Sequence, residues 1–177
     1  MARIISIANQ KGGVGKTTTS INLAGALAER GKRVLCEDMD PQANLTVGLG
    51  LSAQSIEISI ANVLLDASLS LEDIVETTET ENVDVAPSDI DLSATENQLF
   101  SSIGREHAMR EVLHGWAEKN YDYIIIDCPP TLGLLTINAL VASDGVIIPV
   151  QTQYYSLKGF RALANLVTQI QGKGLNP

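Results

Sequence analysis

A glycine-rich segment between an apolar run and an amphipathic stretch constrains the fold of this chain more than any other feature. Residues 4–8 form the apolar run, and residues 9–18 have the sequence Asn-Gln-Lys-Gly-Gly-Val-Gly-Lys-Thr-Thr. Helical periodicity follows over residues 16–30, and Gly31 ends it. A strand, a glycine-rich turn and a helix in this order are typical of the first half of a βαβ unit.

Short apolar runs alternate with helical periodicity along the rest of the chain. The further predicted strands cover residues 33–38, 83–86 (the weakest), 121–127 and 146–150, and the further predicted helices cover residues 106–119 and 157–170. This alternation predicts an α/β fold with a mainly parallel, twisted sheet flanked by helices. Glu37 interrupts the second apolar run, and nothing in the sequence explains it. Because the alternation would place another strand after residue 177, we interpret residues 1–177 as a single domain that lacks its C-terminal part.

Length and composition favour one folded domain in a reducing compartment. The 177 residues are 45% hydrophobic and 19% charged, which suffices for a buried core and excludes a disordered chain. No run approaches the ~20 apolar residues of a membrane-spanning helix, so we expect no secretory signal and no membrane anchor within these residues. The two cysteines, Cys36 and Cys128, form no CxxC pair. We therefore expect neither a disulfide framework nor a zinc site, and a cytoplasmic protein.

Charge is distributed unevenly along the chain. Residues 34–104 contain 14 acidic residues and no Lys or Arg, whereas residues 145–177 contain Lys158, Arg161 and Lys173 and no carboxylate. An acidic protein is repelled by nucleic acid unless a local basic patch overrides its field. Any DNA-binding surface is therefore expected toward the C-terminal end of the chain or beyond it.

The segment at residues 9–18 has the composition of a phosphate-binding loop. Its glycines let successive backbone N–H groups turn toward one anion in front of a helix N-terminus. Lys16 would then reach the β- and γ-phosphates of a nucleotide, and the Thr17 hydroxyl would ligate Mg²⁺. The alternative, a glycine-rich turn without a ligand, is disfavoured by the strand-to-helix context. The expected nucleotide contacts are Lys11, Gly12, Gly13, Val14, Gly15, Lys16, Thr17 and Thr18.

Lys11 departs from the usual spacing of such loops. The first glycine of the G-x-x-x-x-G-K-[ST] pattern would fall on residue 10, which is glutamine here, and Lys11 precedes the glycine pair instead. Two ammonium groups on one phosphate would repel each other. We therefore interpret Lys11 as a residue that crosses an interface to a nucleotide held by a second subunit.

Residues 11–18 resemble the deviant Walker A motif of the ParA/MinD ATPases, and the residues around them resemble the ParA/Soj partitioning branch of that family. These flanking residues are Ile-Ala-Asn-Gln at 7–10, Asn-Leu-Ala at 22–24 and Gly-Lys-Arg-Val-Leu at 31–35. The resemblance covers essentially the whole chain, although family members usually continue for several more strands and helices. It implies a P-loop ATPase that uses ATP and Mg²⁺, in which Lys11 contacts the ATP of the second subunit in a nucleotide-sandwich dimer.

Carboxylates follow the second predicted strand, at the sheet edge where open α/β sheets bind ligands. Residues 38–42, Asp-Met-Asp-Pro-Gln, resemble the D-x-D-P-Q switch segment of the family; an Asp-Pro turn without a ligand is the alternative. The resemblance implies that Asp40 orients or deprotonates the attacking water, and we expect Asp38 to hold Mg²⁺ through water. The family usually has glycine where this chain has Ala43, and we expect the alanine to stiffen the switch segment. It usually has an apolar residue where this chain has Glu37.

A third carboxylate, Asp127, ends the most apolar predicted strand. A strand-end carboxylate alone is a weak signal, but Asp127 follows a phosphate loop and precedes Cys-Pro-Pro, and so resembles the Walker B segment D-x-P-P of the family. We expect Asp127 to stay ionised beside a divalent cation and to be an outer-shell partner of Mg²⁺. Cys128 is expected to be a packed small residue. Residues 151–159 resemble a family stretch near the dimer face, with glutamine at residue 153 in place of the usual glutamate.

The resemblance implies an ATPase switch for chromosome or plasmid partitioning. ATP binding would drive dimerisation and hydrolysis would restore the monomer, while a ParB-like centromere-binding protein would stimulate hydrolysis. The dimer would bind DNA without sequence specificity through its C-terminal region, in the cytoplasm at the nucleoid. One alternative is a MinD-like division-site regulator, which needs a C-terminal amphipathic membrane helix that we do not find in these residues. Another is an iron–sulfur carrier of the same superfamily, which needs cluster-binding cysteines, often as a CxxC pair.

Overall fold

Six strands form one sheet in the computed structural model, which describes residues 1–152 and 156–176. The strands are β1 (Arg3–Ile7), β2 (Val34–Asp38), β3 (Glu76–Thr77), β4 (Val83–Ala86), β5 (Tyr123–Asp127) and β6 (Gly145–Ile147). Their order across the sheet is β3-β4-β2-β5-β1-β6, and every neighbouring pair is parallel except β3 and β4. The predicted α/β fold with a mainly parallel sheet is confirmed. β5 lies between β1 and β2, so three strand ends meet at the centre of one sheet edge.

Helices cover both faces of this sheet. They are α1 (Lys16–Ala28), α2 (Asn44–Gly48), α3 (Ile60–Val63), α4 (Leu92–Leu99), α5 (Ala108–Leu113), α6 (Trp116–Asn120), α7 (Leu134–Ala142) and α8 (Ser156–Gly172). Successive residues of β5 point to opposite faces, as strand geometry requires: Ile125 joins the core under α1 and α2, whereas Ile124 and Ile126 join the core under α3 to α8. The central strands β2 and β5 are therefore buried on both faces.

Helix α1 begins and ends where the sequence predicts, to within two residues. It ends at Ala28, and Gly31 follows with a left-handed φ of 72°. The Gly31 N–H donates to the Ala28 carbonyl at 2.8 Å, and the Lys32 N–H donates to the Leu27 carbonyl at 3.2 Å. These bonds satisfy the last carbonyls of the helix, and glycine adopts the required backbone conformation without strain.

The structure corrects the predicted helix at residues 106–119. It is divided into α5 and α6 at Gly115, whose φ of 92° is left-handed. The predicted strand at 146–150 is shorter and ends at Ile147. Helix α7 was not predicted, because eight of its nine residues are buried and it therefore has no polar face to produce a helical period. The short helices α2 and α3, helix α4 and the two-residue strand β3 were missed as well.

Glu37 lies in the interior of the sheet and is fully buried. It is paired in register with Ala86 of β4 and Ile126 of β5, and strand alternation places it on the same face as Leu35. Among the described residues, neither of its carboxylate oxygens has a hydrogen-bond partner. Burial, and then the charge of Asp38, raises the pKa of Glu37 well above its usual range. The fold therefore places a carboxyl group in an apolar layer, where burial favours its neutral form.

Candidate nucleotide-binding site

The glycine-rich loop connects the carboxyl end of β1 to the first residue of α1. Gly13 and Gly15 have φ values of 69° and 92°, in the left-handed region that favours glycine. Gly15 is the N-cap of α1, and its carbonyl accepts the Thr19 N–H at 2.9 Å, which closes the first helical turn. Val14 is buried, whereas Gly12 and Thr18 are exposed. The loop thus presents backbone N–H groups in front of a helix N-terminus, the geometry that binds anions.

Lys16 lies within this loop. Its side chain folds back so that Nζ donates to the carbonyl of Lys11 at 3.5 Å, and only 8% of the residue is exposed. A lysine ammonium in this position adds a positive charge to the anion-binding N–H groups. The chemistry of the loop therefore fits a polyphosphate.

Asp127 lies beneath the loop and contacts the first turns of α1. Its Oδ2 accepts a hydrogen bond from the Thr17 hydroxyl at 2.6 Å, and its Oδ1 accepts one from the Ser20 hydroxyl at 3.0 Å. Burial raises the pKa of Asp127, while the two hydroxyl bonds and the charge of Lys16 lower it. Burial outweighs these effects, so the pKa of Asp127 is raised overall, against the ionised state that we expected. The hydroxyl of Thr17 with the carboxylate of Asp127 is a donor set of hard oxygens that suits Mg²⁺.

Asp38 ends the neighbouring strand and is fully buried. In the β2–β5 register it lies opposite Asp127. Its Oδ2 accepts both the N–H and the hydroxyl of Thr46, at 2.8 and 2.7 Å, and its Oδ1 accepts the Asp40 N–H at 3.1 Å. Burial raises the pKa of Asp38 to about 7, although these three bonds act against the rise. Asp38 thus anchors the segment from Asp40 to Thr46, and its role toward Mg²⁺ stays a prediction.

Asp40 and Ala43 form the turn between β2 and α2. Asp40 is 9% exposed, its Oδ1 accepts the Gln42 N–H at 3.0 Å, and its carbonyl accepts the Ala43 N–H at 2.9 Å. Ala43 has a φ of 53° and a ψ of 32°, the left-handed conformation that glycine adopts more readily. Glycine, the residue that the resemblance leads us to expect at this position, would adopt this backbone angle without strain.

Lys11 is half-buried at the start of the loop. Its backbone N–H donates to Oδ1 of Asn9 at 3.0 Å, and its ammonium lies 3.4 Å from Oε1 of Gln151, which follows β6. The ammonium therefore contacts its own chain. The role of Lys11 across a dimer interface stays a prediction, and residues 153–155 of the segment expected near that interface lie outside the described residues.

Four polar residues of this site were not found from the sequence. Asn9 and Gln151 both contact Lys11. Ser20 contacts Asp127, and Thr46 contacts Asp38. Ser20 lies one helical turn after Lys16, a spacing that could have indicated a shared face. Cys36 and Cys128 are buried, and burial raises the pKa of both thiols, which agrees with packing roles.

Comparison with known proteins identifies the class to which this fold and site belong. Residues 2–177 match the AAA_31 family, described as an AAA domain, and the chain belongs to that family. The sporulation initiation inhibitor protein Soj of Bacillus subtilis (strain 168) is 52% identical over 99% of this chain and 68% of Soj. The chromosome partitioning protein ParA of Myxococcus xanthus (strain DK1622) is 46% identical over the whole chain and 62% of ParA. The predicted membership of the ParA/Soj branch is confirmed.

The chain is shorter than these relatives. It spans 55% of an uncharacterized Mycobacterium tuberculosis protein (strain H37Rv) that is 46% identical to it, and 62% to 68% of the two named above. The described part of the chain contains no helix that is long and apolar enough to cross a membrane.

Solved structures share the fold across nearly the whole chain. Cobyrinic acid a,c-diamide synthase from Mycobacterium smegmatis, with bound ATP analog and magnesium, has a TM-score of 0.94 and 37% identity over 100% of this chain and 71% of that one. A Cyanothece McdA variant in complex with ATP has a TM-score of 0.89 and 28% identity over 99% and 66%. A putative plasmid partition protein from Borrelia burgdorferi B31, bound to AMPPNP, has a TM-score of 0.81 and 30% identity over 97% and 70%.

Proposed function

We propose that this chain is the nucleotide-binding part of a Mg²⁺-dependent ATPase that acts as an ATP-switched dimer in chromosome or plasmid partitioning. The observation that carries the proposal is the bond from the Thr17 hydroxyl to Asp127 directly beneath a loop that begins a helix. It joins the phosphate-binding segment to a strand-end carboxylate from 110 residues later in the chain. The relatives that carry partitioning names support the biological role, and they do not favour the MinD-like alternative.

The residues of the site divide the binding of ATP and Mg²⁺ between them. The loop N–H groups and Lys16 would hold the phosphates, and Thr17 with Asp127 would hold the cation, directly or through water. When bound, Mg²⁺ neutralises charge that develops on the phosphates during transfer. Asp38 keeps the switch turn in place through Thr46, so that the carboxylate of Asp40 stays at the edge of the site.

Two residues would act on the reaction itself. Asp40 would orient the attacking water and accept its proton, because it is a carboxylate at the strand-end edge that is not fully buried. Lys11 would supply positive charge to the nucleotide of the second subunit, as a cationic finger supplied in trans does in other phosphoryl-transfer enzymes. Hydrolysis would then require both subunits, which makes the dimer the active state.

The DNA contact is assigned to the C-terminal side of the chain. Arg161 on helix α8 and Lys173 directly after it are exposed, and residues 145–177 contain no carboxylate to oppose them. The charge pattern therefore supports non-specific binding to the phosphate backbone at this end and repulsion elsewhere. Stimulation by a ParB-like protein and a location in the cytoplasm at the nucleoid complete the proposal.

A substitution in the loop tests nucleotide binding. Lys16→Ala removes the ammonium within the loop, and we expect a loss of roughly 10- to 150-fold in affinity for a fluorescent ATP analogue, because a charge-assisted contact contributes about 1.5–3 kcal/mol. Lys32→Ala is the matched control, because Lys32 is exposed beyond the end of α1. Equal affinities of the two variants would show that the loop is not a phosphate site.

A mixture of two inactive variants tests the roles of Lys11 and Asp40 in the full-length protein. Asp40→Ala should bind ATP, dimerise and stall, whereas Lys11→Ala should bind ATP as a monomer and lose turnover by ~10³-fold or more. In a mixed dimer, one site keeps its own Asp40 and receives Lys11 from the other subunit, so ATPase activity should return. Heterodimers that form and remain inactive would refute the action of Lys11 in trans.

A further inference from the structure

The segment that follows β6 is bound along the start of the phosphate loop. The Asn9 side-chain amide donates to the carbonyl of Pro149 at 2.8 Å, and the Ala8 N–H donates to the carbonyl of Ile147 at 3.1 Å. Gly159, near the start of α8, also packs closely against the loop. Any larger residue at this position would place its Cβ 3.0 Å from Oδ1 of Asn9. The loop, residues 147–151 and Gly159 therefore form one packed unit.

Gln151 contacts both a glycine of the loop and the side chain of Lys11. Its Nε2 donates to the carbonyl of Gly13 at 2.9 Å, and its Oε1 accepts from the Lys11 ammonium at 3.4 Å. One amide group thus bridges the loop backbone and the lysine. The hydrogen bond from Lys11 to Gln151 is long and therefore weak, so the ammonium can leave Gln151 for a better acceptor at little cost in free energy.

We propose that Gln151 is a positioning residue that holds the Lys11 ammonium on its own subunit and so sets how readily Lys11 becomes available to a second subunit. The inference rests on the proposed action of Lys11 in trans. The neutral amide is essential to it: a carboxylate at the same place would bind the ammonium more strongly, because attraction between two opposite charges would add to the hydrogen bond. An apolar side chain would not bind it.

Two substitutions of Gln151 separate this role from a purely structural one. Gln151→Ala and Gln151→Glu both lose the amide N–H that donates to the Gly13 carbonyl, so any effect on loop stability has the same sign in both. The two substitutions change the hold on the Lys11 ammonium in opposite directions. Alanine removes the acceptor Oε1 of residue 151, whereas glutamate replaces the neutral amide with a carboxylate. Gln171→Ala is the control, since Gln171 is exposed near the end of α8.

The first measurement needs no nucleotide and no dimer. Acetylation of Lys11 by an N-hydroxysuccinimide ester is followed by mass spectrometry in the nucleotide-free protein, with exposed Lys32 as the internal reference. We expect the acetylation rate at Lys11 to rise roughly threefold in Gln151→Ala and to fall below the wild-type rate in Gln151→Glu. The threefold rise corresponds to a net hydrogen-bond contribution of somewhat under 1 kcal/mol. Rates that move in the same direction, or do not move, would overturn the inference whatever the dimer does.

The second measurement follows dimerisation of the full-length protein by light scattering as ATP is added. Gln151→Ala should dimerise at a lower ATP concentration than the wild type, and Gln151→Glu at a higher one. Equal shifts in the same direction would indicate a structural role and refute the positioning role. A wild-type protein that stays monomeric with ATP would contradict the proposed function, and the acetylation rates would still decide the contact between Gln151 and Lys11.

Discussion

Replacement of Glu37 by methionine is expected to stabilise the protein. Methionine has a similar volume and no polar atoms that need partners, whereas both oxygens of Glu37 are buried without a partner among the described residues. A buried, unsatisfied polar group costs about 1–3 kcal/mol of folding free energy. Since 1 kcal/mol shifts the melting temperature of a domain of this size by ~2–4 °C, Glu37→Met should melt several degrees higher than the wild type.

The difference should grow with pH. Because burial raises the pKa of Glu37 above its ordinary value of 4.5, the folded state keeps a proton that the unfolded state has already released. The free energy of unfolding of the wild type therefore falls by up to ~1.4 kcal/mol per pH unit as the pH rises from 4.5 toward the raised pKa. Asp38, whose pKa is raised to about 7, adds a slope of the same sign, but it is present in wild type and variant alike.

Urea denaturation at pH 5.0, 6.0 and 7.0 measures both effects. Glu37→Gln is the matched control: it removes the titration but keeps a buried polar group, so it should lose the pH slope of Glu37 and gain less stability than Glu37→Met. A Glu37→Met variant that is less stable than the wild type, or that follows the same pH dependence, would refute the buried, protonated state of Glu37.

Two further substitutions test the switch turn. Thr46→Val should lower the free energy of unfolding by about 1–3 kcal/mol, because it removes the hydroxyl that donates to Asp38 at 2.7 Å and accepts the Ser88 N–H at 3.0 Å. In urea denaturation, the control Thr46→Ser keeps the hydroxyl and should stay close to the wild type. Equal losses of stability in the two variants would contradict the role of the hydroxyl. Ala43→Gly should raise the melting temperature, because the left-handed backbone conformation costs alanine ~1–2 kcal/mol, which exceeds the ~0.5–1 kcal/mol entropic cost of glycine. A lower melting temperature of the variant would show that the backbone at residue 43 is not strained.

The sequence predicts those parts of the site whose chemistry is local. The loop from residue 9 to residue 18 is recognisable because glycines, lysine and threonine occur at fixed spacings between a strand and a helix. Asp127 could be placed near it because parallel strands end at the same sheet edge. The order of the central strands, which brings Thr17 and Asp127 within 2.6 Å, emerges only in the fold.

Contacts that depend on side-chain direction could not be predicted in this way. Asp38 is close to Thr46 in sequence, but the turn at Ala43 decides that both donors of Thr46 point back at the carboxylate. Gln151 meets Gly13 across 138 residues, and glutamine in a connecting segment carries no signal of that contact. Helix α7 escaped detection for the opposite reason, since it is apolar nearly all round.

The position of β5 has a consequence for synthesis on the ribosome. β5 separates β1 from β2 in the sheet but follows β2 by 85 residues in the chain, counted from Asp38 to Tyr123. At ~5–20 residues per second, β2 waits roughly 4–17 s for β5, and β1 waits longer, each with an unpaired edge that a neighbouring chain could occupy. A nascent chain that ends before Asp127 would contain the complete glycine loop but lack the carboxylate that accepts from the Thr17 hydroxyl, so the site stays incomplete until β5 is made.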